Sequence, residues 1–277
     1  KTGKSQSSKI IFYGDEEINF DIETVPLNTE NYSILIIFNN TTQEFEFSKL
    51  RSQFVSNVSH EMRTPLTSIK GYIETAVDFD LDDKQTVKKY LLKALREVDR
   101  LNLLIEDILN LSGIEYKRNV IVRQPVEINS IIADVIDSLN HLVSGNNSEI
   151  FFKKSSQKII INSDEELIRP LVRNMIENSI FHGGKGIEIT IIAEDKESEI
   201  VLTFSDNGRG IESRDIPFIF QRFYKGRIAD KSRRIGSGLG LAIVKHIVEL
   251  HEGIITVSSV PEKETSFIIT LPKDSLS

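Results

Sequence analysis

Four stretches of the sequence carry residues able to do chemistry. In Asn174-Met-Ile-Glu177-Asn178 two amides stand four apart and share one face of a helix. Such a pair suits a divalent cation and phosphate oxygens, because magnesium takes oxygen ligands and keeps several waters. Asp206-Asn-Gly208-Arg-Gly210-Ile211 follows a predicted strand. Its glycines permit a tight turn close to a ligand, and a carboxylate at a strand end accepts a hydrogen bond from an exocyclic amine such as that of adenine. Gly236-Ser-Gly238-Leu239-Gly240-Leu-Ala-Ile-Val-Lys245 precedes a predicted helix, whose free amides can hold phosphate. Its spacing is neither that of the dinucleotide fingerprint nor that of a P-loop. Between these glycine runs, Lys225 to Ile235 holds Arg227, Lys231, Arg233 and Arg234, a cationic loop able to fold over a polyphosphate. Each has a plainer alternative: an ordinary helix face, a strand-exit turn, a glycine-rich helix start and a solvated loop.

A further histidine, His60, lies in Phe54-Val-Ser-Asn-Val-Ser-His60-Glu-Met-Arg-Thr-Pro65-Leu-Thr-Ser-Ile69. Phe54, Val58, Met62, Leu66, Ile69 and Ile73 recur at steps of three and four and define one buried stripe, with His60 off it on the polar side. Val87, Leu91, Ala94, Val98, Leu101, Ile105 and Ile108 repeat the same period. Joined by the polar turn from Asp78 to Thr86, the two helices make an antiparallel hairpin whose open seam is closed most simply by a second chain, as a four-helix bundle. Periodicity alone also allows a coiled-coil spacer.

The 277 residues accommodate one large domain or two to three small ones. A formal net charge of -7 argues against a general nucleic-acid binder. Cysteine is absent, which excludes disulfides and thiol chemistry. No uninterrupted apolar run approaches the roughly 20 residues of a membrane helix. The opening Lys1-Thr-Gly-Lys-Ser-Gln-Ser-Ser8 has neither an initiator methionine nor a signal-peptide core, so a piece of a longer protein is expected.

Lys9 to Tyr13, Ile18 to Val25 and Tyr32 to Phe38 read as strands separated by Gly14-Asp15 and by Pro26 to Asn31. Without a covering helix they make only a small sheet, the end of a domain or a self-contained cap. Helical periodicity begins after Thr41 and stops at Leu111-Ser-Gly113, and Ile114 to Asn119 reads as a charged hinge. Beyond it strands are predicted at 120–122, 150–153, 158–161, 187–193, 199–205, 254–260 and 266–271. Helices are predicted at 127–143, 164–181 and 239–250, with a short helical turn at 215–220. Asp164, Glu165 and Glu166 suit the positive start of the second helix. The grouping implies a two-layer α/β sandwich from about 120 to 273.

In their order these stretches resemble the cytoplasmic transmitter of a two-component sensor histidine kinase. The resemblance rests on the phospho-acceptor box Ser59-His60-Glu61-Met62-Arg63-Thr64-Pro65-Leu66-Thr67 and the asparagine box Asn174 to Asn178. The first glycine box Asp206 to Ile211, the aromatic box Ile219-Phe220-Gln-Arg222-Phe223-Tyr224 and the second glycine box Gly236 to Leu241 follow. The likeness covers about residues 45 to 273. It implies an all-α dimerisation and histidine-phosphotransfer hairpin at 45–115 and a catalytic ATP-binding α/β sandwich at 120–273. Residues 1–44 resemble, more weakly, the end of a PAS-like sensor domain. The run Leu50 to His60 resembles phosphate-regulon and cell-wall sensors, which implies the cytoplasmic portion of a bacterial cell-membrane protein.

The resemblance further implies ATP-dependent autophosphorylation of His60, transfer to an aspartate of a response regulator, and dephosphorylation of that regulator. Glu61 would orient the imidazole or take its proton, since the ring must be neutral to attack. Thr64 would position water. Pro65 removes a helical hydrogen bond, which gives the bundle a place to bend. Asn178 would ligate Mg2+ with Asn174 beside it, and Asp206 would read adenine. Gly208 and Gly210 would let the chain approach the base, and Gly236, Gly238, Leu239 and Gly240 would form the lid wall. Phe220 and Phe223 would anchor the lid, with Arg222 and Lys225 as phosphate contacts. Implied partners are a second copy and a response regulator, without nucleic acid. Ser179 and Phe181 depart from the family's alanine and lysine, and Ile235 from a frequent glycine. His141, His246 and His251 are read as surface or interface residues, and His182 as a cap of its helix. A nonenzymatic ATP-gated scaffold and an ATPase that does not need His60 are the rival readings.

Overall fold

The computed structural model describes residues 5–14, 17–27, 33–78, 83–116, 123–155, 157–226 and 236–273. The chain falls into two compact units, Lys1–Glu61 and Met62–Ser277. The expected strand at 120–122 and the cationic loop residues Arg227, Lys231, Arg233, Arg234 and Ile235 lie outside the described residues.

In the first unit β1 (Gln6–Tyr13), β2 (Glu17–Leu27) and β3 (Ser33–Asn40) form an antiparallel meander in the order β1-β2-β3. Phe20 on the central strand meets Phe12 and Phe38 edge-on, with ring centroids 5.7 and 6.2 Å apart. Alternation places Ile34 and Ile36 on one face and Leu35 and Ile37 on the other, and all four are exposed. A three-stranded sheet has too little surface to cover itself. Helix α1 (Thr42–Asp78) is bonded to this sheet at its start. The Asn19 carbonyl on β2 accepts from the Thr41 amide at 2.9 Å, and the Asn19 amide donates to Thr42 Oγ1 at 3.0 Å. Asn40 Oδ1 accepts from the Thr42 amide at 3.1 Å, capping the first turn.

Helix α1 runs unbroken through Pro65, which cannot donate to the Glu61 carbonyl. Within the second unit its later turns face α2 (Lys84–Tyr116). Tyr72 and Tyr90 lie 6.2 Å apart, and the Lys93 ammonium sits 5.5 and 5.1 Å from their ring centres, a cation–π clip across the hairpin. The expected single stripe of α2 divides: Ala94 is buried, while Leu91, Val98 and Ile105 are exposed. Leu104, Leu111 and Ile114 are buried instead, because this helix also packs on the α/β layer. For the same reason α2 does not stop at Gly113 but continues to Tyr116, correcting the hinge expected from Ile114 onward.

After the hairpin, β4 (Gln124–Glu127) pairs antiparallel with β6 (Ile160–Ser163). A five-stranded mixed sheet has the order β5-β7-β8-β10-β9, built from Glu149–Lys153, Glu188–Asp195, Glu199–Asp206, Glu264–Pro272 and Ile254–Val260. Only the β5–β7 pair is parallel. Helices α3 (Ile128–Gly145), α4 (Glu165–Gly183) and α5 (Gly240–Leu250) make the second layer, with α4 between the other two. Two of these helices begin on side-chain caps. Glu127 accepts from the Asn129 and Ser130 amides of α3, and Asp164 from the Glu166 amide of α4. Ile132, Ile168 and Ile243 from the helices and Ile189, Leu202 and Ile269 from the sheet are all without exposed surface.

His251 is not a surface residue. It is 2 % exposed, and it ties the end of α5 to β6 through Ser163 Oγ at 2.7 Å from Nε2, with Nδ1 2.7 Å from the Ile247 carbonyl. Burial lowers its pKa, which keeps the ring neutral for this pairing. No described helix is long and apolar enough to cross a membrane. Truncation of Ile168 to alanine leaves a cavity that the surrounding layers cannot close. Urea unfolding of Ile168→Ala is expected to show about 2–5 kcal/mol less stability than the parent chain.

Candidate nucleotide-binding site

Four elements converge at one end of the sandwich: the C-terminal half of α4, the exit of β8, the aromatic segment and the start of α5. Asn174 and Asn178 are half-buried on α4. Asn174 Nδ2 donates to the Pro170 carbonyl at 2.9 Å, and Oδ1 lies 2.6 Å from where a Cβ on Gly240 would stand. The asparagine therefore lines the α4–α5 junction, with its oxygen toward Gly240 and one of its two N–H groups held by α4 itself. Beside it in sequence, Arg173 pairs with Glu177 one turn on, at 2.8 Å.

Asp206 ends β8 and is 6 % exposed. Ser179 Oγ donates to its Oδ2 at 2.9 Å and the Gly208 amide to its Oδ1 at 3.0 Å. Burial raises its pKa, and both hydrogen bonds oppose that rise by favouring the charged form. The turn after Asp206 passes so close to the end of α4 that a Cβ on Gly208 would lie 2.4 Å from the Gly183 Cα. The Arg209 amide closes this contact by donating to the Gly183 carbonyl at 3.0 Å. Gly210 follows against the Val260 backbone, and the Ile211 amide donates to Ser259 Oγ at 2.8 Å.

The aromatic segment is fixed at several points. Phe220 meets the core residue Phe267 at 6.3 Å, and Tyr224 donates to buried Asp215 at 2.9 Å. Phe223 adopts a left-handed backbone (φ 62°), and its amide donates to the Gly238 carbonyl at 2.8 Å. Gly238 has φ 78°, and a Cβ there would fall 2.9 Å from the Phe223 backbone, so only glycine fits. Arg222 is exposed and Lys225 half-buried beside this junction. Gly236 leads into the same wall, near His182 on α4, whose Nε2 lies 3.9 Å from the position of a Gly236 Cβ. Leu239 is fully buried and its amide donates to Ser237 Oγ at 2.9 Å.

Ser237 has a second partner that sequence reasoning missed. Its hydroxyl donates to Asp107 Oδ2 on α2 at 2.5 Å, joining the hairpin to the second glycine box. Burial holds the Asp107 carboxyl up at about 6, opposed by the Ser237 hydrogen bond and aided by the nearby Glu177 and Glu106 charges. The signal was present: Asp107 stands among Leu104, Ile108 and Leu111 on the inward side of α2. Ser179 was noted only as a departure from alanine, and its pairing with Asp206 required the fold.

His60, Glu61 and Thr64 lie on α1, His60 and Glu61 in the first unit and Thr64 in the second. His60 and Thr64 are exposed and Glu61 is half-buried. Two side-chain-to-backbone hydrogen bonds within α1 flank them: Ser59 Oγ donates to the Val55 carbonyl and Thr67 Oγ1 to the Arg63 carbonyl, each at 2.9 Å.

Comparison with known proteins agrees with this arrangement. Residues 50–117 match the His Kinase A (phospho-acceptor) domain, and residues 163–275 match the Histidine kinase-, DNA gyrase B-, and HSP90-like ATPase. The chain belongs to the two-component sensor histidine kinases. Among its relatives, the sensor protein kinase WalK of Staphylococcus epidermidis is 31 % identical over 240 residues, covering 86 % of this chain and 39 % of WalK. The sensor protein SrrB of Staphylococcus aureus is 31 % identical over 243 residues, covering 87 % and 41 %. The chain thus spans about two fifths of the length of these relatives. Acinetobacter baumannii histidine kinase AdeS shares the fold with a TM-score of 0.61 and 23 % identity, over 78 % of this chain and 98 % of that one. Histidine kinase ThkA, solved in complex with response regulator protein TrrA, does so with a TM-score of 0.64 and 22 % identity, over 97 % and 79 %.

Two outcomes test the geometry. Gly208→Ala forces the β8 exit away from Gly183 and displaces Asp206, so ATP affinity measured by calorimetry is expected to fall at least tenfold while the fold persists. For Asp107 the sign follows from a folded pKa above the unfolded one: its contribution is full below the unfolded value near 4 and is lost as pH rises through about 6. The melting temperature of the parent chain is therefore expected to drop between pH 5 and pH 7 more steeply than that of Asp107→Asn.

Proposed function

We propose that this chain is an ATP-dependent protein histidine kinase that phosphorylates His60 and passes the phosphoryl group to an aspartate of a response regulator. The observation that carries the reading is the exposed His60 with Glu61 beside it on α1, in a chain whose α/β layer builds a buried carboxylate and a glycine wall at one rim. A neutral imidazole nitrogen attacks the γ-phosphorus of ATP, the bond to the bridging oxygen breaks and ADP leaves. Glu61 takes the ring proton or holds the tautomer that exposes the lone pair.

Asp206 accepts from the adenine amine, and Gly208 and Gly210 let the backbone approach the base. Gly236, Gly238, Leu239 and Gly240 form the phosphate wall, with Arg222 and Lys225 as cationic neighbours. The donor set fits magnesium: Asn178 offers one hard oxygen, with Asn174 Oδ1 nearby, and the ion's other ligands would come from phosphates and water. Such an ion would offset phosphate charge.

The open apolar face of the hairpin, with Leu66, Ile73, Leu91, Leu95 and Leu109 exposed, supports pairing with a second copy into a four-helix bundle. The complex of ThkA with a response regulator supports a regulator as partner. Thr64, one turn beyond His60, serves water-mediated dephosphorylation of that regulator. The domains run 1–44, 45–115 and 120–273, and the first is the end of a PAS-like sensor that acts on α1 through the Asn19–Thr42 clasp. The parent protein is anchored in a bacterial cell membrane, with this portion on the cytoplasmic side, a reading that rests on the resemblance of the run Leu50 to His60 to membrane-anchored sensors.

Incubation with γ-labelled ATP and magnesium tests the central reading. Acid-labile, base-stable label is expected on the parent chain, with at least a hundredfold loss in His60→Gln and in Asn178→Ala. Label persisting in His60→Gln overturns the assignment, and phosphate release without any protein label favours the ATPase reading.

A further inference from the structure

We propose that the Ser179 hydroxyl is a specificity-determining group, which fixes the Asp206 carboxylate so that the site selects purine nucleotides bearing a 6-amino group over those bearing a 6-oxo group. The inference deepens the nucleotide-binding reading above and rests on it. Ser179 is 3 % exposed and Asp206 6 %, so neither side chain can turn to bulk water for a substitute partner. Ser179 Oγ holds Oδ2 at 2.9 Å and the Gly208 amide holds Oδ1 at 3.0 Å. One donor on each oxygen sets the plane of the carboxylate and leaves an acceptor direction on each for a ligand.

A buried carboxyl has two ways to exist. Charged, it is acceptor-only, and it welcomes an amine while it repels a carbonyl. Protonated, it gains a donor and can serve a carbonyl as well, at the cost of discrimination. Hydrogen bonds to the charged form hold the first state against burial, which favours the second. The Gly208 amide belongs to the backbone turn and would be present with any residue at 179. The Ser179 hydroxyl is the part of this restraint that a side chain supplies, and it stands where the family pattern places alanine. With alanine there, Oδ2 loses its protein donor, the carboxyl is held at Oδ1 alone and takes up a proton more readily, and a 6-oxo purine is no longer turned away.

The test is calorimetric titration of the full chain with ATP and with inosine triphosphate, which differ at the 6-position, in the parent, Ser179→Ala and Ser179→Thr. The parent is expected to prefer ATP, and the preference to shrink about tenfold in Ser179→Ala, the value of one hydrogen bond to a charged group. Ser179→Thr keeps the hydroxyl and is expected to keep the preference. Ser179→Cys, close in size with a much weaker donor, reads the same ratio if the alanine variant does not fold. A merely structural serine would weaken both nucleotides alike, and an unchanged ratio or an equal loss overturns the inference. A parent chain that binds ATP and inosine triphosphate equally well overturns it while sparing the nucleotide reading. Failure to bind either nucleotide overturns both.

Discussion

The candidate site depends on a backbone contact with no room for a side chain. Where the last turn of α4 meets the exit of β8, Gly183 and Gly208 lie so near that a single methyl group would drive them apart. That approach sets Ser179 against Asp206 and lets the Arg209 amide reach the Gly183 carbonyl. Each of these bonds is a donor or acceptor that burial would otherwise leave unsatisfied, at a cost of about 1–3 kcal/mol. The polar chemistry at the rim is thus positioned by steric closeness of main chain, and the helix and strand that supply it are held by the apolar layer beneath.

Much of this was legible in the sequence because the relevant signals are local. Asp164 at the start of α4, Asp206-Asn-Gly at the end of a strand and glycines before α5 each state a backbone requirement that short-range physics interprets. The alternation of β8 and β10 and the period of α3 likewise follow from one-sided burial. Local reading failed where a residue answers to a distant partner. Gly113 looked like a helix end, yet α2 continues because Ile114 is buried beyond it. His251 looked peripheral, yet it bridges to Ser163, 88 residues away in sequence. Asp107 and Ser237 are separated by 130 positions, and nothing within either segment announces the other.

The Asp107–Ser237 bond also changes what the hairpin is. Helix α2 does not merely bear a seam for another helix; its last turns pack on α5 and reach the glycine wall through a carboxylate that burial leaves poised between charge states. The Ser237 hydroxyl that serves Asp107 also receives the Leu239 amide, an N–H at the start of α5 of the kind that holds phosphate in other proteins. The hairpin and the start of the glycine wall are thus joined through one side chain.

Phe223 carries a different kind of consequence. A non-glycine residue in the left-handed region sits about 1–2 kcal/mol above its relaxed backbone. The hydrogen bond that its amide donates to the Gly238 carbonyl, and the close packing of that glycine, hold it there. The junction is a loaded spring: parting the aromatic segment from the glycine wall releases the backbone energy at the moment the contacts are lost. The contact between the aromatic segment and the glycine wall is therefore weaker, by that backbone energy, than its hydrogen bond and packing alone would make it.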